Sequence, residues 1–325
     1  MPSIQEFPFG AFVVEAAFLG DTAVFALGDG TVRLVNGPAA ESVAAHSGAI
    51  LSAVVTRDGK ALITGGDDGR VALVDAKGAA SVVAERPRKW IDHVAAGPSG
   101  AVAYASGRQV VIRFEDGRER TFELARAAGG LAFAPKGLRL VIAGYDAVRL
   151  YWAGTEAEPV TLDWKGAHLA ACFSPDGRYL VTTMQENALH GWRLDDGKDM
   201  RMSGYPAKTR SVAWSAKGRF LATSGANAAI LWPFHFKDGP MGKQPVQLAA
   251  REVLVTRVAC HPRDELVAIG YQDGMVMLAT IADAKETLVR RPGGGPVSAL
   301  AFDQKGTRLA FGTEDGAGGV VALEG

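Results

Sequence analysis

Residues 173–183 read FSPDGRYLVTT: an apolar strand end, a tight polar turn, and a second run rich in β-branched and aromatic residues. Asp-Gly between two such runs is hairpin chemistry, because glycine takes the positive φ that a tight turn demands. The pattern returns as VTRDGKALITGG (55–66), AGPSGAVAYASG (96–107), FAPKGLRLVIAG (133–144), WSAKGRFLATSG (214–225) and FDQKGTRLAFG (302–312), not every copy keeping the Asp. CHPRDELVAIG (260–270), with Asp264 in the glycine place, and FLGDTAVFALG (18–28), one residue shorter at its turn, are weaker copies. Taking Asp21, Gly59, Gly100, Gly137, Gly177, Gly218, Asp264 and Gly306 as equivalent, the spacings are 38, 41, 37, 40, 41, 46 and 42. A period near forty residues is an architectural signal that outranks local propensity.

Each hairpin is followed by a second Gly/Asp/Asn turn and a third apolar run, as in GGDDGRVALVD and ENALHGWRL, and in most copies by a less regular fourth run such as ASVVA or ETLVR. Runs this short, bounded by glycine and proline, are strands and not helices. The repeating unit is therefore a four-stranded antiparallel meander. One meander cannot bury both its faces, whereas radial stacking buries them and hides most edges, which is the logic of a β-propeller. The expected fold is all-β: a single propeller domain over 1–325, with eight blades preferred over seven and the N-terminal IQEFPF supplying the strand missing after GGVVALEG. Ala17, Val54, Ala95, Ala132, Cys172, Ala213, Cys260 and Ala301 hold one equivalent first-strand position, and small side chains there suit converging strands. Cys172 and Cys260 then read as small core residues, not as a redox pair.

The chain resembles the WD-repeat family of propellers over essentially its whole length. AHSGAI at 45–50, GGDDGRVALVD at 65–75, SPDG at 174–177, and Trp192 and Trp232 closing their third strands carry the likeness. The resemblance implies a structural hydrogen-bonded tetrad of His, Ser or Thr, Asp and Trp. Only the second copy approaches it, with His46, Thr64 and Asp68, and with Val74 in the Trp place. The other copies are degenerate.

Nothing in the sequence marks catalysis. The six histidines fall at no zinc-binding spacing, no GxSxG elbow occurs, and the Asp residues sit mostly in turns, so no metal, cofactor or catalytic residue is assigned. In WPFHFKDGPMGKQP (232–245), GPMGK resembles half a phosphate loop but has Lys237 where the first glycine belongs and Gln244 in place of Ser or Thr. Lys plus Arg and Asp plus Glu are both 35, so no global field favours nucleic acid or an acidic membrane. No apolar run of about 18 residues suggests a bilayer span, and the N-terminus lacks a basic segment before its apolar residues. A cytoplasmic location is the expectation.

The connections between repeats place aromatic and basic residues together, the composition of interaction hot spots. Trp90, Trp164, Lys165, Tyr205, Arg210 and Arg290 lie in or beside them, and Tyr145 and Tyr271 lie in adjacent turns. These eight are the candidate partner-binding residues. The enlarged 233–245 connection accounts for the 46-residue spacing and offers Phe236, Met241 and Lys243 as a second candidate surface, with Pro233, Pro240 and Pro245 expected to keep it out of the sheet. The functional expectation is a non-catalytic adaptor gripping an acidic or amphipathic protein segment. The alternative is a propeller hydrolase or lyase, or a small-molecule binder, using an axial pocket.

Overall fold

Alternating strand and turn chemistry becomes a chain of hairpins in the computed structural model, which describes residues 3–323. Among the described residues there are strands and turns but no helix. The first meander comprises Val13–Leu19, Thr22–Leu27, Thr31–Val35 and Ala40–Ala44, and the second Ile50–Val55, Ala61–Gly66, Arg70–Asp75 and Ala80–Glu85. His93–Ala96, Val102–Ser106, Gln109–Arg113 and Glu119–Glu123 form the third. The fourth and fifth share the long strand Val160–Phe173. Its first part pairs with Tyr145–Trp152, beyond which lie Arg139–Ala143 and Gly130–Phe133. Its last part pairs with Tyr179–Met184, followed by Leu189–Arg193 and Asp199–Met202. The sixth contains Val212–Trp214, Phe220–Thr223, Ala229–Pro233 and Val246–Leu248, and the seventh Val255–Cys260, Leu266–Tyr271, Val276–Thr280 and Glu286–Arg290. Val297–Phe302, Arg308–Thr313 and Ala317–Ala322 make three strands of the eighth.

Its fourth strand is Ile4–Pro8, antiparallel to Ala317–Ala322 with Ile4 opposite Val321 and Pro8 opposite Ala317. Among the described residues the meanders number eight, and the N-terminal strand completes the last. Pro233 departs from expectation: it is the last residue of its strand, opposite Phe220. At that position no ladder donor is needed, and the next N–H, that of Phe234, reaches Arg219 O.

Two compact units divide the chain: Met1–Leu27, Arg33–Glu41 and Met202–Gly325 form one, and Gly28–Val32 with Ser42–Arg201 form the other. In the second unit, sheets that follow one another pack through apolar faces. Ile63, Val71, Ile91 and Tyr104 join the second and third meanders, Ile112, Phe122, Leu140 and Ile142 the third and fourth, and Leu150, Phe173, Leu180 and Trp192 the fourth and fifth. In the first unit, Leu231, Val267, Ile269 and Tyr271 serve the sixth and seventh meanders, and Val289, Val297, Leu309 and Phe311 the seventh and eighth. Burying one such aliphatic side chain stabilises the fold by about 1.5–3 kcal/mol.

Candidate partner-binding surface

Several polar side chains are committed to buried networks and are not free to bind a partner. In the second meander His46 Nδ1 donates to Asp68 Oδ1 at 2.9 Å, and Nε2 is 2.8 Å from Thr64 Oγ1. Burial alone would raise the Asp68 pKa, but the bonds from His46 and from the Ser47 and Arg70 amides outweigh it and hold the carboxyl below its ordinary range. Two further copies of this network exist that the sequence did not reveal. In the fifth meander His168 Nε2 donates to Trp164 O (3.0 Å) and Nδ1 is 2.8 Å from Thr182 Oγ1. In the sixth, tyrosine replaces histidine: Trp232 Nε1–H donates to Tyr205 Oη (2.6 Å), which lies 2.7 Å from Thr223 Oγ1, and that hydroxyl donates to Ile230 O (3.0 Å).

Four rim candidates are thereby corrected. Tyr205 is 8% exposed, with its hydroxyl committed to Thr223 and Trp232. Tyr271 is fully buried and its hydroxyl donates to Ala249 O. Arg290 bonds to Glu6, Gly274 O and Gly293 O, holding the N-terminal strand and a turn. Trp164 lies flat on His190, ring centroids 3.7 Å apart. In each case the side chain lowers its free energy more by closing a local network than by facing solvent, and short-range sequence context cannot show that competition. Arg210 and Lys165 stay exposed. The two cysteines are half-buried, and burial pushes the Cys260 thiol up to about 12, so it is a poor thiolate.

What remains open in the second unit centres on Trp90. The connection 86–92 is pinned at both ends: Arg86 N–H donates to Gly69 O (2.7 Å) and Ile91 N–H to Gly66 O (3.0 Å). Gly69, at φ +81°, permits this approach, since a Cβ there would lie 2.2 Å from Arg86 O. Ile91 is driven fully into the core, which turns its neighbour Trp90 outward at 64% exposure. Around the indole is a recess of about 570 Å³ edged by Arg88, Lys89 and Arg108. Its carboxylates are occupied internally: Asp92 accepts from Gly107 N–H (2.9 Å) and Glu123 from Gln109 Nε2 (2.7 Å). In the fourth meander, Tyr145 is 46% exposed with the Arg126 guanidinium 4.2 Å from its ring centroid. Asp146 and Glu186 accept from the amides of Gly166 and Ala167. Free donors and spoken-for acceptors make this surface complementary to acid. Arg108 and Arg126 escaped the sequence reading because no aromatic adjoins them in the chain.

In the first unit the enlarged connection has its own pattern. Phe234 is buried against Trp214 (ring centroids 4.7 Å), whereas Phe236 and Met241 are 40% and 42% exposed and Lys243 Nζ sits 4.6 Å from the Phe236 ring centroid. Among the described residues no three His, Cys, Asp or Glu side chains gather as a metal set.

Four-stranded antiparallel meanders repeated along the chain define a β-propeller, and solved structures agree. The computationally designed Ika8 protein superposes with a TM-score of 0.75, covering 97% of both chains at 17% identity. The RRP9 WD40 repeats give 0.64, covering 85% of this chain and 94% of that one, also at 17% identity. Residues 40–75 match the family model described as "WD domain, G-beta repeat". The chain is similar to WD repeat-containing protein 55 of Mus musculus (26% identical over 201 residues) and of Homo sapiens (26% over 202), alignments covering 59% of this chain. It is a β-propeller protein that carries a WD-type repeat at 40–75 and is similar to WD-repeat proteins. The chain spans about half the length of the curated relatives it matches.

Proposed function

We propose that the protein is a non-catalytic interaction scaffold whose Trp90 surface holds an acidic, amphipathic segment of a protein partner. Propellers of this family are generally protein-interaction scaffolds, which supports the coarse reading. The observation that carries the finer one is Trp90 itself, 64% exposed on a pinned loop among three cations without carboxylate partners. A rigid aromatic anchor beside free arginines loses little entropy on binding and gains both apolar contact and charge-assisted hydrogen bonds. Tyr145 with Arg126 adds a second aromatic–cation pair. In this reading the chain acts as one domain, in the cytoplasm, and uses no cofactor.

The test compares partners recovered from a cell extract by wild type, by Trp90→Ala and by Arg88→Glu/Arg108→Glu. Both variants alter exposed side chains and should melt like wild type. Loss of a common set of partners in both, with weaker recovery from wild type as salt rises, is the expected result. Identical recovery from all three folded proteins would refute the reading.

A further inference from the structure

At the other end of the second and third meanders, around the turns that hold Gly59 and Gly100, lies a groove of about 750 Å³. Its volume suits a small ligand. Three features show how the sequence leaves it open. Leu73 pairs with Ile63, and the side chains at the matching place in other meanders, Val111, Leu150, Leu231 and Leu278, are at most 8% exposed, whereas Leu73 is only half-buried. The residue after the turn position is long in most copies, as in Lys60, Leu138, Arg178, Arg219 and Glu265. In the third meander it is Ala101, which ends at Cβ and lines the groove. Finally, the strand Ala80–Glu85 carries a bulge: Val71 faces Ala84 and Ala72 faces Val82, so Val83 is the extra residue, and it lines the groove. A bulge of this kind re-aims a side chain.

The wall is apolar, formed by Ile63, Leu73, Val83, Val102 and Phe114, and its edge carries Arg57, Lys60, Arg113, Asp58 and Glu115, of which Arg57 is a cation held by backbone carbonyls alone. Arg57 Nη2 donates to Ala134 O (2.6 Å), Nη1 to Pro135 O (3.3 Å) and Nε to Ala96 O (3.3 Å). Among the described residues no carboxylate forms an ion pair with it: of the two that line the groove, Asp58 accepts from Thr56 Oγ1 and the Lys60 amide and pairs with the Lys60 ammonium, and Glu115 makes no ion pair with Arg57. A guanidinium has five N–H donors, so two remain for a ligand.

We propose that this groove binds a small amphiphilic anion, its apolar body against Ile63, Leu73, Val83, Val102 and Phe114 and its acidic group on Arg57. The site is independent of the Trp90 surface. Two dyes of similar shape test it by fluorescence enhancement: anilinonaphthalene sulfonate, which is anionic, and N-phenylnaphthylamine, which is neutral. Wild type should enhance both. Val83→Trp, filling the groove from the bulge, should abolish both. Arg57→Gln should weaken the sulfonate about tenfold, the worth of one charge-assisted hydrogen bond, and leave the neutral dye unchanged. No enhancement by wild type, both dyes retained by folded Val83→Trp, or equal effects of Arg57→Gln on the two dyes would each overturn the proposal. Should Val83→Trp fail to fold, the contrast between dyes in Arg57→Gln decides.

Discussion

His190 should make the protein lose stability in mild acid, by an amount the structure allows to be worked out. The imidazole is fully buried, stacked under Trp164 and edge-on to Trp192, and neither ring nitrogen has a hydrogen-bond partner. Burial pushes its pKa down to about 4 from the ordinary 6.5, with Asp199 pulling upward and His168 and Arg201 downward. The 3.3 Å approach of Asp199 Oδ2 to Nε2 is thus a contact with a neutral ring at pH 7, not an ion pair. The folded state refuses the proton that the unfolded chain accepts, so the stabilisation is complete above about pH 6.5 and drains away as pH falls towards 4. At roughly 1.4 kcal/mol per pH unit the loss approaches about 3 kcal/mol. His190→Phe keeps a ring against Trp164 and removes the titration. Urea unfolding from pH 7.5 to 4.5 should show wild type losing stability relative to the variant by most of that amount. The other depressed histidines, His93 and His168, remain in both proteins and cancel in the difference. Parallel pH curves for the two proteins would refute the reasoning.

Tyr205→Phe should cost about 1–3 kcal/mol in urea unfolding, because it leaves the buried Trp232 Nε1–H without an acceptor; an unchanged midpoint would return Tyr205 to the surface candidates. Asp68→Ala should destabilise by roughly 2 kcal/mol at pH 7, stripping acceptors from His46, Ser47 and Arg70. Because the Asp68 pKa is lowered in the folded chain, its contribution is present above about pH 4 and fades below it, so the gap between variant and wild type should narrow in acid. Leu231→Ala should cost about 2–5 kcal/mol, since the side chain is fully buried between sheets. Replacing residues 236–243 with a short Gly-Ser link should preserve cooperative unfolding, because Phe234, the buried anchor of that connection, is retained; loss of folding would assign the segment a packing role.

The repeat was legible because hairpin chemistry is local. Asp-Gly turns, runs of four to eight β-formers and a forty-residue period identify four-stranded meanders without any knowledge of what each strand touches. Even the strand exchange at the chain ends could be read, since the eighth copy is one strand short and IQEFP is one strand spare. Function was less legible because exposure is a tertiary quantity. Trp90 and Trp164 occupy equivalent connections and look alike in sequence, yet Ile91 pulls its loop into the core and expels Trp90, while His190, on another strand, offers Trp164 a face to stack on. Tyr205 reads as a rim aromatic until Thr223 and Trp232 are seen to enclose its hydroxyl. Periodicity and turn chemistry settled that this is a propeller of four-stranded meanders, because those signals are carried by neighbours along the chain. Which aromatic is free to bind, and where the packing leaves a groove, depends on partners tens of residues away, and only the folded arrangement decides that.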